Sequence, residues 1–231
     1  IVGMVVLGFL NAFEIEVETK ALANTESPLI LYAILIGLCV ILIATSIYLH
    51  VKKKEKYQFK LLLKLSGRLP SDFVEMTNLA TVTFNMSIMG FILLGYVLLN
   101  GGQLNGPIVG SIIGAMSFGA FGNQVKNTVP VLVGIMIGCY LTGVDVASTS
   151  ALVAAIFGTT LAPVSGYYGP IAGMIAGFVH ITLVSHVVVM HGGLNLYNNG
   201  FAGGFVAAVL VPIFEIFEGI RQDIKERKAE G

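Results

Sequence analysis

Long apolar runs separated by short polar punctuation organise this chain. Residues 1–13 are apolar, and 14–27 form a polar stretch made acidic by Glu14, Glu16, Glu18 and Glu26. Pro28 marks the restart, and 29–51 is an unbroken apolar run. It exceeds the roughly 20 residues a helix needs to cross a hydrocarbon core of about 30 Å. Further apolar runs follow at 81–99, 107–121, 129–142, 146–163, 170–190 and 201–217. Each is read as a helix. Between them lie the turn-rich segments 100–106, 122–128, 143–145, 165–169 and 191–200, full of Gly, Asn and other turn formers.

Composition turns these runs into a membrane assignment. Hydrophobic residues make up 55% of the 231 positions and charged residues only 11%, against about 25% charged in a soluble domain. Between Thr81 and Phe214 the only formal charges are Lys126 and Asp145. A water-exposed surface cannot be built from that stretch, so lipid is its expected solvent. Outside it the charges cluster. Lys52, Lys53, Lys54, Lys56, Lys60, Lys64 and Arg68 follow the second run, and Arg221, Lys225, Arg227 and Lys228 follow the last. Both basic ends are expected on the cytoplasmic side. The six runs between them return the chain to the side it left, so the topology is self-consistent.

The expected organisation has four parts. Residues 1–51 are transmembrane segments, beginning inside an apolar run at Ile1 and so read as part of a longer protein. Residues 52–80 are a basic cytoplasmic linker, 81–217 the transmembrane core and 218–231 a charged cytoplasmic tail. Residues 57–65 interleave lysines with Phe59 and leucines. That pattern suits a helix lying on anionic lipid headgroups, or an ordinary solvated linker helix. Ser71 or Asp72 can cap the following helix, with Glu75 in its first turn. The charge pattern offers no nucleic-acid surface. Cys39 and Cys139, each inside an apolar run, read as small buried hydrophobes rather than a disulfide or zinc framework.

One phrase occurs twice. Gly106-Pro107-Ile108-Val109-Gly110-Ser111-Ile112-Ile113-Gly114 returns as Gly169-Pro170-Ile171-Ala172-Gly173-Met174-Ile175-Ala176-Gly177, identical at six of nine positions. Proline suits the first helical turn, where its missing N–H would be unpaired anyway. Glycine every fourth residue lets a neighbouring backbone approach closely, whether for packing alone or beside a solute path. By the crossing count the two helices run in opposite directions. Repeat halves near 81–142 and 146–217 would then be inverted, a build common among transporters. The short runs 107–121 and 129–142 either cross a thinned bilayer or form a re-entrant hairpin. In the second case Asn123, Lys126 and Asn127 sit near mid-membrane, which irregular backbone tolerates only if buried or lining a wet cavity. In the first, Lys126 and Asp145 are interfacial anchors.

The densest uncharged polar run is 191–204, with Asn195, Asn198 and Asn199 among five glycines. Its amides and accessible backbone suit replacement of the hydration shell of a small neutral solute or cation; an ordinary outside loop is the alternative. His180 and His186 are six apart on one helix and so face differently, which argues against a metal pair. Intramembrane histidines usually face the bundle interior and could modulate a path. Asn85, Thr81 and Thr83 add polar positions to the run at 81–99. No paired-histidine zinc motif, phosphate-cradling loop or nucleophile elbow occurs. No cofactor, metal or enzymatic role is expected.

The stretch from Leu161-Ala162-Pro163 to Gly177, and the phrase His191-Gly192-Gly193-Leu194-Asn195-Leu196-Tyr197-Asn198-Asn199-Gly200-Phe201-Ala202-Gly203-Gly204, resemble an uncharacterised bacterial membrane family, domain of unknown function fifteen-seventy-six. Phe121-Gly122 with Lys126-Asn127 is also similar to a motif of that family, although Asn123 stands where a lysine is expected. The resemblance runs from the third span to the last. It implies a polytopic membrane protein, longer than this chain, and no activity. A looser likeness to urea-transporter architecture rests on short, broken helices in opposed repeats.

The sequence thus predicts an all-α transmembrane bundle in a bacterial plasma membrane, and leaves a homo-oligomer open. The expected function is a channel or transporter for a small polar or ionic solute. Asn195, Asn198, Asn199, Asn123, Lys126 and Asn127 would line the path. A non-transporting membrane scaffold or sensor, whose basic loop 52–68 binds a partner or anionic lipid headgroups, is the alternative.

Overall fold

The computed structural model describes residues 28–68, 72–187 and 195–230, together with Ala12. The first apolar run, the acidic stretch 14–27, Ser71 and His191–Leu194 fall outside them. Among the described residues every regular element is helical. Helix α1 is Pro28–Lys52, α2 Leu79–Leu99, α3 Gly106–Ser117, α4 Val125–Thr142, α5 Thr149–Gly158, α6 Ala162–Tyr168, α7 Pro170–Val187 and α8 Asn195–Glu230. Tight 3-10 turns at Phe118–Ala120 and Thr159–Leu161 follow α3 and α5. Single helical turns at Phe59–Leu62 and Phe73–Met76 lie between α1 and α2. Among the described residues five helical stretches are long and apolar enough to cross a membrane: Pro28–Lys52, Leu79–Leu99, Val125–Thr142, Thr149–Tyr168 and Asn198–Ile224. Gly106–Ala120 and Pro170–Val184 are shorter apolar helices.

Polar residues at the run boundaries set the helix starts. Asn78 Oδ1 accepts from Thr81 N at 2.9 Å, Asn105 Oδ1 from Ile108 N at 3.0 Å and Ser148 Oγ from Ala151 N at 3.3 Å. Each satisfies a donor that the first helical turn leaves open. Asp72 caps the turn Phe73–Met76, with Glu75 in it, as expected, and Asn78 begins the span α2.

Several boundaries differ from the sequence expectation. The polar segment 122–128 is not a loop throughout. Gln124 and Asn127 form a reciprocal capping box and α4 starts at Val125, giving it 18 residues instead of the 14 of the apolar run. Residues 165–168 continue α6, and the chain turns only at Gly169, whose φ is +96°. The glycine- and asparagine-rich segment from Asn195 to Gly200 is helical, the opening of α8. Burial of its Asn198, Asn199, Ala202 and Val206 overrides the weak helix propensity of those residue types. The expected amphipathic helix 57–65 shrinks to Phe59–Leu62. Leu62 is buried there with Phe73 and Val82, while its lysines stay exposed.

Side-chain pairings fix the helix directions. Ser46 Oγ donates to Ala80 O at 2.6 Å and Ser87 Oγ to Cys39 O at 3.1 Å, so α1 and α2 are antiparallel. Asn105 bonds Thr149 at the starts of α3 and α5, and Gly114 faces Phe157 near their ends, so these two are parallel. Gly134 meets Met174 and Gly138 meets Ile181, so α4 and α7 are parallel too. Gly173 meets Ser165 and Gly158 meets His180, which sets α7 antiparallel to α5 and α6.

The two glycine-proline helices, α3 and α7, therefore point in opposite directions. The packing is nonetheless not that of two inverted halves. Inversion would match α4 with α8 and α3 with α7, so the close α4–α7 packing would require an equally close α8–α3 contact. Instead α3 packs on α2 and α5, whereas α7 packs on α4, α6 and α8. The units alike in direction are 106–142 and 149–187. Each has a helix ending in a 3-10 turn and, directly in the first unit and after α6 in the second, an 18-residue return helix.

Candidate functional site: a buried polar junction between two broken helices

The 3-10 turn Thr159–Leu161 interrupts the α5–α6 stretch, whereas Phe118–Ala120 ends α3 before the chain turns into α4; both free backbone groups that need partners. Asn85 lies six residues after the start of α2, about 9 Å along that helix. Its Nδ2 donates to Gly119 O at 2.8 Å and to Asn123 O at 2.9 Å. Asn123 Nδ2 in turn donates to Thr159 Oγ1 at 3.1 Å, and Thr159 Oγ1 donates to Ile156 O at 2.6 Å. All three side chains are buried. Glycine at 119 eases this approach, since a Cβ there would crowd Met86 Cα at 3.1 Å and Asn85 Nδ2 at 3.2 Å.

His180 stands beside the second break. It is fully buried at 0% exposure. Gly158, the last residue of α5, makes room for it: a Cβ there would sit 2.9 Å from Cδ2 and 3.3 Å from Nε2 of the ring. The Ala154 backbone and the Asn199 side chain of α8 lie close enough to interact with the ring. Neither ring nitrogen makes a hydrogen bond of good geometry, and the same holds for buried Asn198 Oδ1 and Ser165 Oγ. A buried polar atom without a partner costs about 1–3 kcal/mol, so such a group calls for an explanation beyond packing.

Of the residues singled out in the sequence, Asn123, His180, Asn198 and Asn199 are buried, and Asn123 and His180 flank the second break. Asn127 is buried as well, but its amide is used structurally. Its Oδ1 accepts from Gln124 N at 2.8 Å, and its Nδ2 donates to Gly122 O at 2.7 Å and Ser66 O at 3.2 Å. Lys126 is exposed, one position from that buried face, and does not join the cluster. His186 is exposed, with Nδ1 2.7 Å from Thr182 O. The six-residue spacing turns it away from His180. Asn195 begins α8, and its side chain lies outside the described residues. Among the described residues no three His, Cys, Asp or Glu side chains come together.

The glycine phrases behave unequally. Gly177 packs on the Val131 carbonyl, and Gly173 on Ser165. In the first copy, Gly106 and Gly110 meet nothing within 4 Å and Gly114 meets only Phe157 at ordinary contact distance. Close backbone approach is thus a property of the α7 copy alone, because α4 crosses there and no described helix crosses on the open side of α3. Pro107 stands in the first turn of α3, and Pro170 begins α7.

A segment from the basic linker closes one end of the junction. Gln124 Nε2 donates to Leu65 O at 3.3 Å and Leu63 O at 3.5 Å. Gly67, at φ +78°, lies on the Gly122 carbonyl, and Gly166 lies on the Ser66 carbonyl. Arg68 then pairs with Glu215 of α8 at 3.1 Å and covers the Tyr167 ring at 4.4 Å. Partial loss of water works against the Arg68 charge, but the Glu215 hydrogen bond together with the electrostatics of Tyr168, Tyr167 and Glu215 outweighs it, and the guanidinium pKa is raised. This docking was not legible beforehand. Its one local signal is the Ser66-Gly67 pair beside a basic run.

The model of a family described as "Protein of unknown function (DUF1576)" matches residues 51–216. The chain belongs to this family. The DUF1576 match takes in the whole junction from Asn85 to Asn199 and the segment docked beneath it. No curated protein and no solved structure matches the chain, so the likeness to urea-transporter architecture is unconfirmed.

Proposed function

We propose that this DUF1576 protein is an integral membrane channel or transporter for a small polar or ionic solute. One observation carries the reading. The end of α3 and the interruption of the α5–α6 stretch meet inside an apolar bundle, tied by Asn123 and Thr159, next to a fully buried histidine whose ring nitrogens make no hydrogen bond of good geometry. Broken helices and buried ionisable groups within spans mark solute paths in membrane proteins. The path residues are Asn123, Thr159, His180, Asn198 and Asn199. The reading places 52–80 and the end of α8 in the cytoplasm of a bacterial cell, and it assigns no catalytic residue.

The test is the osmotic response of proteoliposomes to a panel of small neutral and ionic solutes, followed by light scattering. A transporter shows solute entry that Asn199→Ala reduces at equal reconstitution. A bundle without transport shows no difference from empty vesicles. The exposed lysines of 52–64 support a second reading, a scaffold or sensor docked on anionic headgroups or a partner. Such a protein keeps its function in the Asn199→Ala variant.

A further inference from the structure

The composition of the junction narrows the solute. Every Asp, Glu, Lys and Arg among the described side chains lies outside the buried set, whose polar members are amides, hydroxyls and one imidazole. The helices packed on α7 bring no charge to His180. On α4 the single charged residue, Lys126, is exposed. The stretch from α5 through α6 has none. On α8 the first charge is Glu215, which is drawn to Arg68. Nothing there would neutralise an anion, and no carboxylate would hold a cation. The uncharged imidazole instead offers one N–H donor and one acceptor nitrogen. The Asn199 amide beside it carries both kinds of group as well.

We propose that His180, with Asn199 beside it, recognises a small uncharged solute that both donates and accepts hydrogen bonds, of the amide or polyol class. A partner of that kind satisfies both ring nitrogens at once, whereas an ion satisfies one and opposes the other. Gly158 is the companion feature, because its bare α-carbon lets the ring lie against the end of α5, beside Ile135 Cδ1. The proposal rests on the transport reading above and fixes which solutes that reading admits.

Carbethoxylation of histidines in the reconstituted wild-type protein tests it, read by peptide mass spectrometry with acetamide, glycerol or potassium chloride present. His186 and His50, both exposed, are internal controls. The expected result is modification of His180 that acetamide or glycerol slows and potassium chloride at equal osmolarity does not. An occupant at about ten times its dissociation constant slows the reaction about tenfold, while His186 and His50 react unchanged. If His180 reacts and neither neutral solute protects it, the solute class is wrong and the path survives. Protection by the salt alone has the same meaning. If His180 never reacts while His186 does, the path itself fails. His180→Gln keeps a donor and an acceptor and should retain acetamide or glycerol entry into vesicles, whereas His180→Leu should lose it at equal reconstitution. Equal entry by both variants overturns the assignment.

Discussion

Asn123 Nδ2 donates to Thr159 Oγ1 at 3.1 Å, joining the break after α3 to the break after α5. The bond bridges 36 positions and binds the two like-directed units at the point where each loses regular helical pairing. Thr159→Val keeps the side-chain shape and leaves the Asn123 donor without its partner. Thermal unfolding in detergent should show a loss of about 1–2 kcal/mol, while Thr159→Ser stays near wild type. An unchanged midpoint for Thr159→Val would mean the two breaks are not coupled.

Asn85 serves both Gly119 O and Asn123 O. Asn85→Leu strips a partner from two buried carbonyls together and should cost about 2–4 kcal/mol, more than Thr159→Val. The same unfolding measurement ranks them. The reverse order would show that the α2 contact is secondary.

The two copies of the glycine phrase should respond differently to alanine. Gly177→Ala places a methyl on the Val131 carbonyl, and Gly134→Ala places one on the Met174 carbonyl. Backbone cannot yield as a side-chain tip does, so each should lose about 1–3 kcal/mol or more. Gly110→Ala meets open space and should be neutral or gain up to about 1 kcal/mol from helix propensity. Equal losses at Gly110 and Gly177 would show that α3 is tightly packed after all.

The docked linker should depend on Gly67 more than on its ion pair. Arg68 and Glu215 are 45% and 50% exposed, so Arg68→Gln should change stability by about 0–1 kcal/mol. Gly67→Ala requires alanine at φ +78° and drives its methyl onto the Gly122 carbonyl. Limited trypsin digestion should cut Gly67→Ala faster at Lys60 and Lys64 than either Arg68→Gln or wild type.

The spans from α1 to α8 were legible because their apolar runs are bounded by charge, proline or a capping residue. The placement of α4 on α7 was not, since Gly134 and Gly138 look no different in sequence from Gly106 and Gly110. What separates them is the presence of a crossing helix. The junction was partly legible: Asn123, His180, Asn198 and Asn199 stood out as polar residues among apolar runs. Lys126 and Asn127 stood out equally, but one faces outward and the other caps α4, a difference set by helical phase and by the box with Gln124. Thr159 carried no signal of its own, because threonine in a membrane helix ordinarily bonds the preceding turn, as Thr83 does to Leu79 O.

Water access to the junction is the most direct test of the whole account. In a background carrying Cys39→Ala and Cys139→Ala, single substitutions Asn199→Cys and Thr159→Cys are reacted in membranes with a small charged methanethiosulfonate. Ile41→Cys on the outer face of α1, 62% exposed, serves as the apolar-surface control and exposed Arg221→Cys as the aqueous one. A solute path predicts reaction at 199 and 159 at rates nearer to the aqueous control. Reaction as slow as at Ile41→Cys, in variants that unfold at the wild-type temperature, would contradict it.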